Sequence, residues 1–259
     1  MSLCWSCERD TGAGLTCVRC GALTAPVVGE TFFAVLGLPE RYAVDLEAAE
    51  AGFKERTRLV HPDRFARADP RARQISLRRT VELNEAWRTI KHPVRRAEYL
   101  MRLQGYDLAG EGGPTGPGAA GEGRTPPVGA DPGRVRLTVP PALLNDVLEL
   151  REALLEARAA RDAAAVHRLG AEVAERLREA LAAVARGLGG DRPRDSLVGE
   201  EGDLIGAVDF VAEKTEKLDT VAEKLIAIRY YQRFLEELEA GETSPAAGGG
   251  GVSADRGSP

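Results

Sequence analysis

The stretch that decides the fold is Arg58-Leu59-Val60-His61-Pro62-Asp63-Arg64-Phe65, which lies between two segments with helical periodicity. Asp45 can cap the first of these helices. Pro62 ends it, because the residue before a proline is pushed out of the helical region. Asp69 followed by Pro70 is a typical start for the next helix. The pattern predicts two helices joined by a short loop that carries the histidine and the aspartate.

Two further helices flank this pair. Thr31 can cap a short apolar helix over 32–36, which Gly37 stops. On the other side, Pro93 starts a helix that runs to about Leu103 and is closed by Gly105. The segment from about residue 31 to 106 therefore reads as four helices.

The second half of the chain begins after a segment whose composition does not favour folding. Nine glycines and five prolines occupy the 24 positions from Gly110 to Gly133. Such a segment has almost no apolar side chains to offset the entropy of ordering, so we expect a linker over 109–138. Three amphipathic patterns follow over 139–240 and predict a helical bundle, with a disordered tail over 241–259.

Composition and charge limit the function classes. The chain has 259 residues, a net charge of −5 and 43% apolar residues, and we find no apolar run near the roughly 20 residues that cross a bilayer. Residues 51–79 hold nine basic and three acidic residues, a charge of +6 that leaves −11 elsewhere. A local basic face on an acidic chain favours an acidic protein partner over nucleic acid. We expect a cytoplasmic protein with no membrane partner.

All four cysteines lie near the N-terminus, in two Cys-x-x-Cys pairs: Cys4, Cys7, Cys17 and Cys20. Two such pairs can bring four thiolates to one tetrahedral Zn²⁺, and a site with four protein ligands is structural because no position is left for a substrate. Disulfides and a redox or iron site are the alternatives. Without an export signal, structural zinc is the favoured interpretation, in a knuckle over 1–27.

The tripeptide His61-Pro62-Asp63, the basic helix before it and the sequence Asn84-Glu85-Ala86-Trp87 after it resemble the J-domain of DnaJ-type co-chaperones. The resemblance is closest to the HscB subfamily, the co-chaperones of iron–sulfur cluster assembly. It is carried by residues 33–39, Tyr42, Arg64-Phe65 and 96–100 within 29–108, by Leu148-Glu149-Leu150-Arg151-Glu152 in the C-terminal bundle, and by the cysteine pairs, which resemble the zinc module of some members.

This resemblance implies an all-α fold, with a J-domain helical hairpin, a C-terminal three-helix bundle and a small N-terminal zinc knuckle. It also implies a protein that is not an enzyme. In the family, the His61 loop engages a DnaK/HscA-class ATPase chaperone and stimulates hydrolysis on that partner. Basic residues beside the loop would steer the docking through long-range attraction, and here they are Lys54, Arg56, Arg58 and Arg64.

The resemblance further implies that the bundle binds the iron–sulfur cluster scaffold protein through Leu144, Leu148 and Tyr230. Asn145 departs from the methionine that many members carry, and a core position is a serious rival for both leucines. Two other functions stay open: a J-domain adaptor for a different client, and a zinc-dependent nucleic-acid-binding protein. The shortage of aromatic residues in the knuckle argues against the second.

Overall fold

The structure, a computed structural model, describes residues 3–12, 14–108, 135–136, 139–189 and 204–242. The linker expected over 109–138 lies outside these residues except for 135–136, and the expected tail lies outside them from residue 243 onward. No helix in the described part of the chain is both long and apolar enough to span a membrane.

The described residues form seven α-helices, which confirms the all-α prediction. A 3₁₀ turn, Pro62–Phe65, follows α2, and two strands of two residues each pair in parallel after α4, with Tyr106 opposite Val135. Sequence periodicity did not predict these strands, because two residues are too few to show alternation. The helices are α1 (Phe32–Leu36), α2 (Leu46–Val60), α3 (Pro70–Ile90), α4 (Pro93–Leu103), α5 (Pro141–Ala159), α6 (Ala163–Leu188) and α7 (Leu204–Glu242); the strands are β1 (Tyr106–Asp107) and β2 (Val135–Arg136).

The ends of the first helices follow the capping residues of the sequence. The Thr31 hydroxyl accepts a hydrogen bond from the Ala34 amide, and the Asp45 carboxylate accepts two from the first turn of α2. The Asp69 carboxylate accepts one from the Arg71 amide at 2.7 Å. Gly37 ends α1 in the left-handed conformation with φ 67°, which a residue with a Cβ rarely adopts.

α3 is the central helix of the N-terminal half. It contacts α1, α2, the 3₁₀ turn and α4. Its buried face carries apolar residues together with two polar ones, Ser76 and Arg79. The other helices contribute fully buried side chains such as Phe33 from α1 and Val60 from α2. This packing fixes the end of α2 against the middle of α3.

The three C-terminal helices each bury one apolar face, as the amphipathic patterns predicted. α5 buries five aliphatic residues, Leu143, Val147, Leu150, Leu154 and Ala157. α6 and α7 bury Val173 and Phe234 among others. α5 is also tied to α7 by a hydrogen bond from the Arg158 guanidinium to the Glu237 carbonyl oxygen at 2.9 Å.

The chain divides into two compact units whose borders fall inside α6 and α7. One unit comprises Met1–Val139 with Ala180–Ile226, and the other comprises Pro140–Glu179 with Ala227–Pro259. The first unit contains both the cysteine segment and the helices around His61. Within it the Tyr106 hydroxyl donates a hydrogen bond to the Asp219 carboxylate at 2.8 Å. The finer boundaries inferred from the sequence stay predictions.

Candidate functional site

The loop that carries His61, Pro62 and Asp63 begins where α2 ends. His61 leaves the helical conformation with φ −56° and ψ 130°, and Pro62 opens the 3₁₀ turn. The His61 Nδ1 atom accepts a hydrogen bond from the Asp63 amide at 3.3 Å and lies 3.6 Å from the Asp63 carboxylate. The two side chains are 49% and 91% exposed. The loop therefore presents an imidazole and a carboxylate to solvent at a fixed spacing.

Hydrogen bonding sets which imidazole nitrogen is free. Because Nδ1 accepts from the Asp63 amide, the neutral His61 ring carries its proton on Nε2. The Nε2–H group is then a donor, and the neighbouring Asp63 carboxylate is an acceptor. The tripeptide offers a partner one donor and one acceptor side by side.

A buried polar contact with α3 fixes the end of α2, where this loop begins. Val60, the last residue of α2, is fully buried, and its carbonyl oxygen accepts a hydrogen bond from the Ser76 hydroxyl of α3 at 2.6 Å. The last carbonyls of a helix have no partner within the helix, so this bond satisfies a group that would otherwise be costly to bury. On the exposed side, the Arg64 guanidinium donates to the Arg58 carbonyl oxygen at 3.1 Å.

The four basic residues expected to steer docking differ in their surroundings. Arg58 and Arg64 are exposed. Lys54 is also exposed, and its ammonium group lies 2.7 Å from the Glu50 carboxylate, whose pKa it lowers through a hydrogen bond. Arg56 is half-buried against Gly37, where an added Cβ would collide with its guanidinium group. Three of the four are therefore exposed to solvent, and Arg56 packs across the end of α1.

Trp87, Phe53 and Tyr99, interpreted from their spacing as core residues, are half-buried. Phe53 of α2 stacks on Trp87 of α3 with ring centroids 5.3 Å apart. Tyr99 of α4 stacks on Phe32 at 4.6 Å and accepts a hydrogen bond from the Phe32 amide at 2.9 Å. These pairs join the helices to one another.

The four cysteines converge. Their sulfur atoms all lie within 4.8 Å of one another, with Cys4 and Cys20 3.6 Å apart and Cys7 and Cys17 3.8 Å apart. Sulfur ligands in a regular zinc tetrahedron lie about 3.8 Å apart, since Zn–S bonds are about 2.3 Å long. The donor set fits a single soft divalent ion.

Backbone amides point at the sulfur atoms of both pairs. The Ser6 amide donates to the Cys4 sulfur and the Arg19 amide to the Cys17 sulfur, each at 3.4 Å. The hydrogen bond from Ser6 is the main reason that the pKa of Cys4 falls to about 6. Amides that favour the thiolate also favour metal binding, because the thiolate is the form that ligates.

Arg79 is a residue whose role the sequence reasoning missed. It was counted with the basic segment, yet its side chain is only 1% exposed. Its guanidinium group donates to the Thr24 and Ala25 carbonyl oxygens beside the cysteine pairs and to the carboxylates of Glu30 and Glu82. Periodicity was the available signal, because Arg79 falls four residues from both Ile75 and Leu83 on the apolar face of α3.

The leucines expected to bind a scaffold are on the surface. Leu144 is 41% exposed and Leu148 is 56% exposed, so neither is a core residue. Leu155, which the sequence reasoning did not single out, is 65% exposed on the same side of α5. Tyr230 is half-buried on α7, beside the buried Tyr231. We call Leu144, Leu148 and Leu155 the leucine stripe.

Residues 139–239 match the family described as the HSCB C-terminal oligomerisation domain. The described fold is similar to that of the human co-chaperone protein HscB, with a TM-score of 0.62 and 20% identity over 93% of this chain and 99% of that one. It is also similar to the chaperone HscB from Vibrio cholerae, with a TM-score of 0.52 and 23% identity over 82% of this chain and 97% of that one. The resemblance to HscB-type co-chaperones that the sequence carries is confirmed.

Alanine substitutions distinguish the leucine stripe of α5 from the buried residues of the same helix. We expect Leu148→Ala to change the free energy of unfolding by less than about 0.5 kcal/mol, because exposed side chains contribute little to packing. Leu154→Ala, the same substitution at a residue only 1% exposed, should cost about 2 to 5 kcal/mol through the cavity it leaves. Urea unfolding monitored by circular dichroism measures both, and equal losses would place Leu148 in the core.

Proposed function

We propose that this protein is a co-chaperone that binds an iron–sulfur cluster scaffold protein and stimulates ATP hydrolysis by a DnaK/HscA-class chaperone, thereby promoting cluster transfer. The observation that carries the proposal is the His61 loop, which is exposed at its side chains and fixed through the bond from Ser76 to the Val60 carbonyl. It occurs in a chain whose C-terminal domain is of the HscB type.

The chaperone contact centres on His61 and Asp63, with Pro62 limiting the backbone freedom that binding would otherwise remove. The exposed charges of Lys54, Arg58 and Arg64 raise the rate of encounter with an acidic surface. The half-buried Arg56 contributes mainly through its positive charge, which adds to this long-range attraction. Hydrolysis takes place at the active site of the partner, and this protein supplies no catalytic group.

The scaffold contact is assigned to the leucine stripe and Tyr230. Three exposed leucines on one helix are a surface that gains free energy when a partner covers it. Arg151, which lies between Leu148 and Leu155 along α5, is paired with Glu237 at 3.9 Å. The apolar stripe with this charged pair beside it suits a partner with an apolar centre and a polar rim.

The cysteine site is assigned to structural Zn²⁺ held by Cys4, Cys7, Cys17 and Cys20. The support is the convergence of the four sulfur atoms within 4.8 Å of one another and the backbone amides that donate to the Cys4 and Cys17 sulfur atoms. When bound, the ion would hold the two Cys-x-x-Cys turns together.

Replacing the histidine tests the chaperone contact. We expect His61→Gln to reduce stimulation of single-turnover ATP hydrolysis by the cognate DnaK-class chaperone at least about tenfold, a factor that corresponds to about 1.4 kcal/mol of lost interaction. The loop imidazole packs against little, so circular dichroism should show an unchanged fold. His167→Gln, at an exposed histidine of α6, is the control and should stimulate normally. Full stimulation by His61→Gln would refute the chaperone assignment.

Truncating the leucine stripe tests the scaffold contact. We expect Leu148→Ala to weaken binding of the iron–sulfur scaffold protein by roughly tenfold in isothermal titration calorimetry, because an apolar anchor at an interface centre carries much of the affinity. Leu77→Ala is the matched control, since Leu77 on α3 has the same 56% exposure. If both substitutions weaken binding equally, or if neither weakens it, the scaffold contact is not at Leu148. Failure of the unaltered protein to bind any scaffold would favour an adaptor for a different client.

Metal analysis tests the zinc assignment. The purified protein should carry about one zinc ion per chain, and the double substitution Cys17→Ser, Cys20→Ser should remove it because two of four ligands are lost. Elemental analysis by mass spectrometry gives the stoichiometry. Iron with visible absorption, or cysteines joined as disulfides, would replace the zinc assignment.

A further inference from the structure

The buried guanidinium group of Arg79 faces two parts of the molecule at once. Its Nη1 atom donates to two carboxylates, that of Glu30 just before α1 at 2.7 Å and that of Glu82 on α3 itself at 2.8 Å. Its Nε and Nη2 atoms donate to the carbonyl oxygens of Thr24 and Ala25, both at 2.9 Å. Two of its three nitrogens therefore have their hydrogen-bond acceptors in the segment that follows Cys20.

That segment is built into the cysteine module, which we define as residues 3–25. The Thr24 amide donates to the Leu15 carbonyl oxygen at 2.9 Å, and the Thr24 hydroxyl donates to the Gly14 carbonyl oxygen at 2.7 Å. The Cys17 amide donates to the Ala22 carbonyl oxygen at 2.8 Å. Thr24, whose carbonyl group Arg79 uses, is thus held in place by the segment that also holds the sulfur atoms.

On the other side, Arg79 lies one helical turn from Ser76, on the same buried face of α3. The Ser76 hydroxyl bonds the Val60 carbonyl at 2.6 Å, and the Thr80 hydroxyl lies 3.5 Å from the same oxygen. Val60 directly precedes His61. One stretch of α3, residues 76–80, therefore contacts both the cysteine module and the end of α2.

We propose that Arg79 is a positioning residue that couples metal occupancy of the four cysteines to the stability of α3 and of the His61 loop. The proposal rests on the metal site proposed above. Small modules of this type lose their fold without metal, because few other contacts hold them. Loss of the module removes every acceptor of Nε and Nη2, so α3 loses an anchor one turn from Ser76. The N-terminal module then acts as a stabiliser of the loop, although it is remote from the loop in sequence.

Coupling of this kind is reciprocal. If metal binding stabilises α3 through Arg79, an altered Arg79 must weaken metal binding by the same factor, although Arg79 touches no cysteine. Couplings between two sites typically change a binding constant by about 5- to 150-fold. A purely structural role for Arg79 within α3 would leave zinc affinity unchanged. Zinc affinity is therefore the measurement that separates the two roles.

The test uses Arg79→Lys in the full-length chain. Lysine keeps a positive charge for Glu30 and Glu82 but lacks the planar fork that reaches two carbonyl groups as well. Arg78→Lys is the matched control, because Arg78 is the neighbouring exposed arginine on α3. Zinc affinity is measured by competition with a chromophoric chelator, and amide hydrogen exchange of peptides from residues 46–90 is measured with zinc and after chelation.

In the unaltered protein and in Arg78→Lys, we expect chelation to speed exchange in α3 and around His61. In Arg79→Lys, we expect zinc affinity to fall at least about tenfold and exchange over 46–90 to become nearly independent of zinc. The proposal would be overturned if chelation of zinc left amide exchange in the unaltered protein unchanged. An Arg79→Lys protein with unchanged zinc affinity would also overturn it, even if α3 exchanged faster in both states.

Metal content, measured first, separates this inference from the proposed function. A chain that holds no zinc contradicts both the zinc assignment and the coupling. A chain that holds one zinc and shows no coupling contradicts the coupling alone. Neither measurement uses ATP hydrolysis, so the chaperone assignment stands or falls independently.

Discussion

The buried face of α3 is the constraint on which the N-terminal half of this protein depends. α1, α2 and α4 all pack against it, with fully buried residues such as Leu83, Ala86 and Ile90 at the contacts. Burying one large aliphatic side chain contributes about 1.5 to 3 kcal/mol, so this face supplies much of the driving force for folding. Because α2 must end against α3, the position of His61 follows from the packing of the helices rather than from the loop.

Polar groups on the same face give the packing its specificity. Ser76 and Arg79 are buried among apolar residues, and each is satisfied by a group that only the correct arrangement brings close. Arg96 is a contrasting case on α4. Its guanidinium donates to the Ile90 carbonyl oxygen at 2.6 Å and lies over the Tyr42 ring at 4.9 Å, and burial lowers its pKa. Arg79 meets two carboxylates and the cysteine module, whereas Arg96 caps the end of α3.

The side chains proposed to contact partners are exposed, and they are carried by packed helices. The His61 side chain and the leucine stripe are exposed, while the residues next to them in the chain, Val60 and Leu154, are almost completely buried. A contact surface mounted on a packed helix loses little conformational freedom when a partner binds. The proposed function needs such surfaces and no catalytic group, and the two proposed contacts are carried by different compact units.

Local signals in the sequence determined the helices, their caps and the convergence of the cysteines. Asp45, Asp69 and Gly37 act on neighbouring backbone groups. The two Cys-x-x-Cys turns are close in sequence, so residues near one another in the chain are enough to predict both features. Only tertiary structure decided that Leu144 and Leu148 are exposed and which distant groups the buried Arg79 contacts. Burial depends on which residues from distant parts of the chain pack on each face, as when α3 binds the segment after Cys20, and local periodicity does not contain that information.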